Sequence, residues 1–186
     1  LGLFIKRVAP TASVFLIDIV PSIAKKLTSQ IKDTGISVIC MDASNCVLSN
    51  GKSLVIVAGV GGELCCKIVK GILKKNSDYQ NIDFLLSPNN KPHLVRSLLK
   101  EWSYKSTMEQ ICFDAGRGYE LILSKFKSGD EFDFVGEKMF LIPSQKSEGY
   151  LREKFKLYEL KSNFDKSFLF LRQEYQRLLD NHVLRP

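Results

Sequence analysis

Leu54-Val55-Ile56-Val57-Ala58-Gly59-Val60-Gly61-Gly62-Glu63 decides how the rest of the chain is read. The unbroken apolar run suits a strand buried on both faces, the glycines suit a turn, and Glu63 suits the first turn of a helix. Further along, Ile82-Asp83-Phe84-Leu85-Leu86-Ser87-Pro88-Asn89-Asn90 repeats the pattern, an apolar strand emptying into a small polar loop. Parallel strands that end in such loops put a ligand site at their carboxyl ends. Glycine there lets backbone pass close to a ligand with no Cβ in the way.

The neighbouring segments extend the same alternation. Val14–Ile19 reads as a short strand, and Pro21 opens a helix to about Ile31, closed off by Gly35. Ser37–Met41 is the next strand, ending in Asp42-Ala43-Ser44-Asn45, and a loop through Ser49-Asn50-Gly51 leads into Leu54–Ala58. The helix that follows carries Leu64, Cys65, Ile68, Val69, Ile72 and Leu73 on one face. After a loop at Asn76–Asn81 and a strand at Phe84–Leu86, Pro92 opens a helix with Leu94, Val95, Leu98, Leu99 and Trp102 inward. This βαβ order predicts a parallel sheet covered by helices on both faces.

Beyond it the pattern changes. Gln110–Phe113, a turn at Ala115-Gly116-Arg117-Gly118, and Tyr119–Phe126 read as an antiparallel hairpin at the sheet edge. Ser128–Pro143 is loop-rich. From Tyr150 to Leu179 there is no Gly or Pro, and Leu157, Leu160, Phe164, Phe168, Leu171, Tyr175 and Leu178 form a heptad-like seam. That predicts one long helix or a helical hairpin with coiled-coil packing. The expected division is an α/β domain over residues 1–127 and a helical region over 128–186.

The 186 residues are 45% hydrophobic and 25% charged, as in an ordinary soluble globular protein. No apolar run approaches the roughly 20 residues of a membrane helix, and Leu1–Pro10 has no signal-peptide pattern. Five cysteines, Cys65 and Cys66 adjacent, form no disulfide framework. Cys40, Cys46 and Cys112 read as small core residues, and a cytoplasmic location is expected. Of the net charge of +7, residues 1–75 contribute ten Lys+Arg against four acids and residues 136–186 ten against seven. Such a surplus favours a polyanion, most simply nucleic acid, although many small basic proteins bind nothing anionic.

Several parallel strands followed by a terminal antiparallel hairpin is the order of a Rossmann-like class I S-adenosylmethionine-dependent methyltransferase. The chain resembles one branch in particular, the bacterial tRNA (adenine(22)-N1)-methyltransferase family. Ala58-Gly59-Val60-Gly61-Gly62 is similar to its Gly-Met-Gly-Gly turn, and Ser87-Pro88-Asn89 to its Gln-Pro-Asn, with Leu94, Arg96 and Leu98-Leu99 following. Glu109-Gln110-Ile111-Cys112 running to Gly118-Tyr119-Glu120-Leu121-Ile122 is similar to its Glu-x-Leu-Val and Tyr-Glu-Ile-Ile hairpin. The match spans roughly residues 10–125, and a helical C-terminal part is also a family feature. One departure stands out: the family's first strand and its Gly-rich loop, which hold the methionine part of the cofactor, have no counterpart before Leu3. Leu1–Arg7 resembles the tail of the helix after that loop. The expectation is either a piece of a longer natural protein or a sheet closed by other means.

The resemblance implies S-adenosyl-L-methionine as cofactor and tRNA as substrate. Asp18, with Ile19 beside it, would accept the ribose hydroxyls; a helix-capping Asp or a buried ion pair is the alternative. Asp42 would face the adenine with the Ala43 amide, or it simply initiates a loop. Gly59, Gly61 and Gly62 would line the cavity between cofactor and base, a role compatible with a plain turn. Ser87, Pro88 and Asn89 would form the substrate side, with Asn89 as the catalytic amide and Asn90 as a helix cap. Arg117 and Tyr119 are candidate tRNA contacts or a solvated hairpin tip, and Lys67, Lys70, Lys74 and Lys75 a solvated helix face. Arg152, Lys154, Lys156, Lys161 and Lys166 would grip the RNA backbone. Neither the cysteines nor His93 and His182 have the spacing of a metal site. A nicotinamide oxidoreductase requires Gly-x-Gly-x-x-Gly after the first strand, which this chain lacks. A non-enzymatic RNA-binding relative and a methyltransferase for another substrate stay open, as does a monomer or a weak dimer through the C-terminal helix.

Overall fold

The computed structural model describes residues 1–31, 34–142 and 144–183, with side chains through residue 181. Pro143, where the loop-rich stretch was expected to end, and the side chain of His182 lie outside the described residues. The chain divides into two compact units, residues 1–49 with 67–79 and residues 50–66 with 80–186.

In the first unit, α1 (Gly2–Val8) precedes β1 (Val14–Asp18), α2 (Pro21–Gln30) and β2 (Ile36–Cys40). The helix expected at the start of the chain is thus present. Pro21 sits in the first turn of α2, where its missing N–H costs nothing. β1 and β2 are parallel, in register from Val14 opposite Ile36 to Asp18 opposite Cys40. Asn76 knits this unit together, its amide donating to the Cys46 and Ile72 carbonyls and accepting from the Leu48 amide.

The second unit carries a four-stranded sheet: β3 (Ser53–Ala58), β4 (Ile82–Ser87), β6 (Arg117–Phe126) and, at its edge, β5 (Tyr104–Asp114). β3 and β4 are parallel, and β6 runs antiparallel to β4, with Leu86 opposite Ile122. Its core is Phe84, Leu86, Val95, Leu99, Tyr104 and Ile122, with the Phe84 and Tyr104 rings edge to face at 5.2 Å. The 14-residue α3 (Gly62–Lys75) follows β3, and the division between the units passes through it. It buries Cys65, Val69, Ile72 and Leu73; Leu64, expected on that face, is exposed.

Three further expectations are corrected. The hairpin is longer than its apolar runs suggest, because Ala115 and Gly116 alone make the turn, both at positive φ, and Arg117 and Gly118 already belong to β6. Cys40 and Cys112 are exposed rather than core, since β2 and the outer hairpin arm leave alternate side chains uncovered. The C-terminal region is a hairpin of α5 (Gln145–Phe164) and α6 (Leu169–Val183), broken where Asp165 takes an extended backbone and accepts from the Ser167 amide at 2.9 Å. Leu171, Tyr175 and Leu178 of the expected seam are buried. On α5, however, Ser147, Tyr150, Leu151 and Tyr158 face inward while Leu160 and Phe164 lie 62% and 92% exposed.

Candidate functional site

At the carboxyl end of the two-stranded sheet, Asp18 ends β1 and Asp42 follows β2. The Met41 amide donates to the Asp18 carbonyl at 3.1 Å, so these two strand ends stay together. Asp18 is half-buried, and its Oδ1 accepts from the Val20 amide at 2.8 Å, an Asx-type turn leading into α2. Ile19 beside it is 63% exposed. Asp42 accepts from the Ser44 amide at 2.9 Å and lies 3.6 Å from the Lys67 ammonium. The Ser44 hydrogen bonds, and then Lys67, hold its carboxyl below the usual range. Ala43 opens the short 3-10 turn that Asp42 caps. Two carboxylates with unused lone pairs on adjacent strand ends suit a ligand that presents hydroxyls and amines, as a ribose and an adenine do.

In the second unit the loops after β3 and β4 interlock. The Asn89 amide donates to the Val60 carbonyl at 2.8 Å, the Gly62 amide donates to Asn90 Oδ1 at 3.1 Å, and the Lys91 ammonium meets Glu63 at 2.6 Å. That ion pair holds Glu63 below the usual carboxyl range. A Cβ on Gly62 would come within 2.6 Å of the Lys91 carbonyl oxygen, and one on Gly61 within 3.2 Å of Asn90 Oδ1. The glycines at these two positions therefore admit the neighbouring loop. Gly59 is different: its φ is +78°, and nothing stands within 4 Å of where a Cβ would be. Asn90 caps α3, not α4 (Pro92–Glu101) as expected; α4 starts at Lys91, itself left-handed at φ 47°, without a side-chain cap. Pro88 is buried, Ser87 half-buried and Asn89 exposed, and no hydrogen bond of the Asn89 side chain occurs among the described residues.

The hairpin reaches the same end of the sheet. In the β4–β6 register, Leu121 stands level with Ser87, and Arg117 four positions beyond it. At ~3.3 Å per residue the hairpin tip thus projects about 13 Å past the strand end. Arg117 is exposed there and Tyr119 half-buried.

A buried polar cluster ties this arm to α4 and α5. Arg96 Nε donates to Glu109 at 2.8 Å and Nη2 to Glu120 at 2.6 Å, with all three side chains 1–2% exposed. The Tyr150 hydroxyl donates to the other Glu120 oxygen at 2.6 Å, and its ring occupies the space a Cβ on Gly118 would need. Burial works against the Arg96 charge, but Glu120 and Glu109 outweigh it and keep the guanidinium protonated; burial pushes Glu109 and Tyr150 up. His93, in the first turn of α4, lies 3.4 Å from the Tyr158 hydroxyl. Burial, and then the Arg96 charge, bring its pKa down to about 4. Sequence reasoning missed this cluster, although Pro92, Val95, Arg96 and Leu99 share the buried i, i+3, i+4, i+7 stripe of α4.

The cations of the C-terminal helices are engaged unequally. Arg152 pairs with Glu148, and Lys154 and Lys161 lie over the Tyr150 and Tyr158 rings at 4.6 and 5.5 Å. Lys156 and Lys166 are exposed, as are Lys67, Lys70, Lys74 and Lys75 on α3. Among the described residues no helix is long and apolar enough to cross a membrane.

Residues 1–122 match the family model described as a methyltransferase domain. The chain belongs to that methyltransferase family. No curated protein matches its sequence. Among solved structures, the Bacillus subtilis m1A22 tRNA methyltransferase TrmK is similar in fold at 15% identity and a TM-score of 0.77, over 96% of this chain and 86% of that one. TrmK from M. capricolum, in complex with S-adenosyl-homocysteine, gives 16% identity and a TM-score of 0.72 over 97% and 84%. The N-methyltransferase NodS from Bradyrhizobium japonicum gives 15% and a TM-score of 0.51, over only 68% of this chain and 81% of that one. The Rossmann-like class I methyltransferase fold with a terminal antiparallel hairpin and a C-terminal helical extension is thus the fold of this family member.

Proposed function

We propose that this protein is an S-adenosyl-L-methionine-dependent tRNA methyltransferase that modifies N1 of adenine 22. One contrast supports this reading over a methyltransferase with another substrate. The likeness to TrmK extends over 96% of the chain, whereas that to NodS covers 68%. The part that distinguishes them bears on the substrate, because substrate choice in a shared fold lies in what is added to it.

Bound S-adenosyl-L-methionine supplies a methyl group made electrophilic by its sulfonium. Asp18 would accept from the ribose hydroxyls with the oxygen that Val20 leaves unused, beside Ile19, and Asp42 with the Ala43 amide would read the adenine. Gly59, with nothing within 4 Å of where a Cβ would be, would leave room for the reacting groups, and Gly61 and Gly62 shape the turn it belongs to. On the substrate side, Ser87, Pro88 and the exposed Asn89 would receive an extruded adenine, with the Asn89 carbonyl accepting from the exocyclic amine as the positive charge passes from the sulfonium to the ring. N1 already carries a lone pair, so no strong base is needed and positioning supplies most of the acceleration. Arg117 and Tyr119 on the projecting hairpin, Arg152, Lys154, Lys156 and Lys161 of α5, and Lys166 in the turn that follows it would contact RNA. The tRNA substrate implies a cytoplasmic location. Self-association is no more than a weak dimer through the exposed Leu160 and Phe164 of α5.

Calorimetric titration of S-adenosyl-homocysteine into the chain, followed by methylation of unmodified tRNA and nucleoside mass spectrometry, tests this. Cofactor binding and 1-methyladenosine at position 22 are expected. Charge reversal of Lys154, Lys156 and Lys161 should weaken tRNA binding and leave cofactor affinity alone. Absence of cofactor binding both by this chain and by the gene product with its native N-terminus restored, or methylation elsewhere, refutes the assignment.

A further inference from the structure

The Asn90 side chain bridges the two loops at the carboxyl ends of β3 and β4, and the proposed reaction uses it for nothing. Its carboxamide oxygen accepts from the Gly62 amide at 3.1 Å, at the first residue of α3. On either side of that bond, Asn89 and Lys91 make their own links, to the Val60 carbonyl and to Glu63. Consecutive residues of the β4–α4 loop thus grip three positions of the glycine turn. The grip is close: a Cβ at Gly62 would overlap the Asn90 and Lys91 carbonyl oxygens, at 2.7 and 2.6 Å. It also holds Lys91 in the left-handed region, at φ 47°, which a lysine seldom adopts unless its surroundings impose it.

We infer that Asn90 is a positioning residue: it clamps the β4–α4 loop onto the N-terminus of α3 so that the adjacent Asn89 amide points at the substrate base. The inference rests on the methyltransferase reading given above and adds a role for a residue outside it. The Asn89 backbone N–H is held on the Val60 carbonyl and the next side chain, Asn90, on the Gly62 amide, so the backbone is anchored on both sides of the Asn89 Cα and the direction of its side chain is set. Losing the bond leaves the Asn89 N–H on Val60 but removes the anchor on its C-terminal side, and a misplacement on the order of 1 Å at a reacting centre is enough to lower the rate about a hundredfold. An acceptor is what the position requires. Aspartate keeps that acceptor and adds a charge favourable at a helix N-terminus, whereas alanine keeps neither.

The experiment compares the full chain with Asn90→Ala, Asn90→Asp and Gly62→Ala, using two readouts. In amide exchange, the Gly62 N–H should exchange at least tenfold faster in Asn90→Ala and return to the native rate in Asn90→Asp. In tRNA methylation at saturating S-adenosyl-L-methionine, Asn90→Ala and Gly62→Ala should lose at least tenfold in kcat, with KM for the cofactor changed less than threefold. Asn90→Asp should recover most of kcat at pH 7.5. Because Asn90 is exposed, its variants keep the native melting temperature within a few degrees. Unchanged Gly62 exchange in Asn90→Ala, or an aspartate variant as slow as the alanine one, overturns the inference. A native chain that methylates no RNA refutes the function and this catalytic role with it, while the exchange data still report whether the clamp exists.

Discussion

Arg96→Met tests most directly what joins the hairpin, α4 and the C-terminal helices. Arg96 is the cation for two carboxylates, at 2.8 Å from Glu109 and 2.6 Å from Glu120, and none of the three side chains is more than 2% exposed. Methionine fills much of the same volume but leaves both carboxylates buried without a counter-charge. Breaking a buried pair from one side costs about 3–5 kcal/mol, which in a chain of this size lowers the melting temperature by about 6–20 °C. The penalty should depend on pH, and the sign follows from proton uptake. Without Arg96, burial is unopposed at Glu109 and holds its folded carboxyl above the ordinary value near 4.3. The folded variant then binds more protons than its unfolded chain, and stability rises as pH falls toward that value. Urea unfolding followed by the fluorescence of the single tryptophan, Trp102 at the end of α4, reads this in the relevant unit. The deficit at pH 5.5 should be at least ~1 kcal/mol smaller than at pH 8. Adding Glu109→Gln and Glu120→Gln should remove the pH dependence and recover much of the loss. A deficit below ~1 kcal/mol at pH 8, or one equal at both pH values, refutes the reasoning.

His93 predicts a slope of the other sign. Its pKa falls from 6.5 to about 4 through burial and then the charges of Arg96, Lys161 and Lys91, opposed by Glu120. The unfolded chain therefore takes up the proton first, so this contribution is complete above pH 6.5 and is lost as pH falls through about 4. The full gap would be worth ~3 kcal/mol, and partial exposure screens it to about 1–2 kcal/mol. His93→Gln should flatten the stability profile by that amount between pH 7 and 4.5 in urea titrations, and an unchanged slope would count against a neutral, half-buried imidazole. Gly71→Ala should destabilise the first unit by about 1–3 kcal/mol, although glycine to alanine inside a helix normally gains about 1 kcal/mol. The reason is that its Cβ would run into the Ser44 carbonyl oxygen, and a stabilised variant in urea melts would contradict that packing.

Which parts of the molecule were legible in the sequence follows from the range of the forces involved. β3, α3, β4 and α4 are marked by short apolar runs, Gly-rich or Pro-Asn loops, and a proline at N1, all of which act within a few residues. The C-terminal helices were legible as helices, but not in their facing. Asp165 breaks the seam by offering its carboxylate to the Ser167 amide, a local bond that competes with continued helix at small energetic difference. Once the chain turns back there, α5 buries the Tyr150–Tyr158 side and turns Phe164 to solvent. Asn90 was read as a cap on the helix that follows it in sequence; in the fold it caps α3, whose start lies 28 residues earlier.

That Asp18, Asp42, Gly59 and Asn89 lie at strand ends and in the loops after them was legible in the sequence alone, because strand ends and loops announce themselves through composition. Their partners were decided only by tertiary structure. Glu109 and Glu120 meet Arg96 because strands 11 and 10 residues long bring both carboxylates onto the buried stripe of α4. Gly61 and Gly62 face a neighbouring loop where a ligand was expected to need the space. Periodicity and turn chemistry record which side of its own element a residue takes. What stands opposite depends on register and crossing between elements far apart in the chain, and no local pattern encodes it.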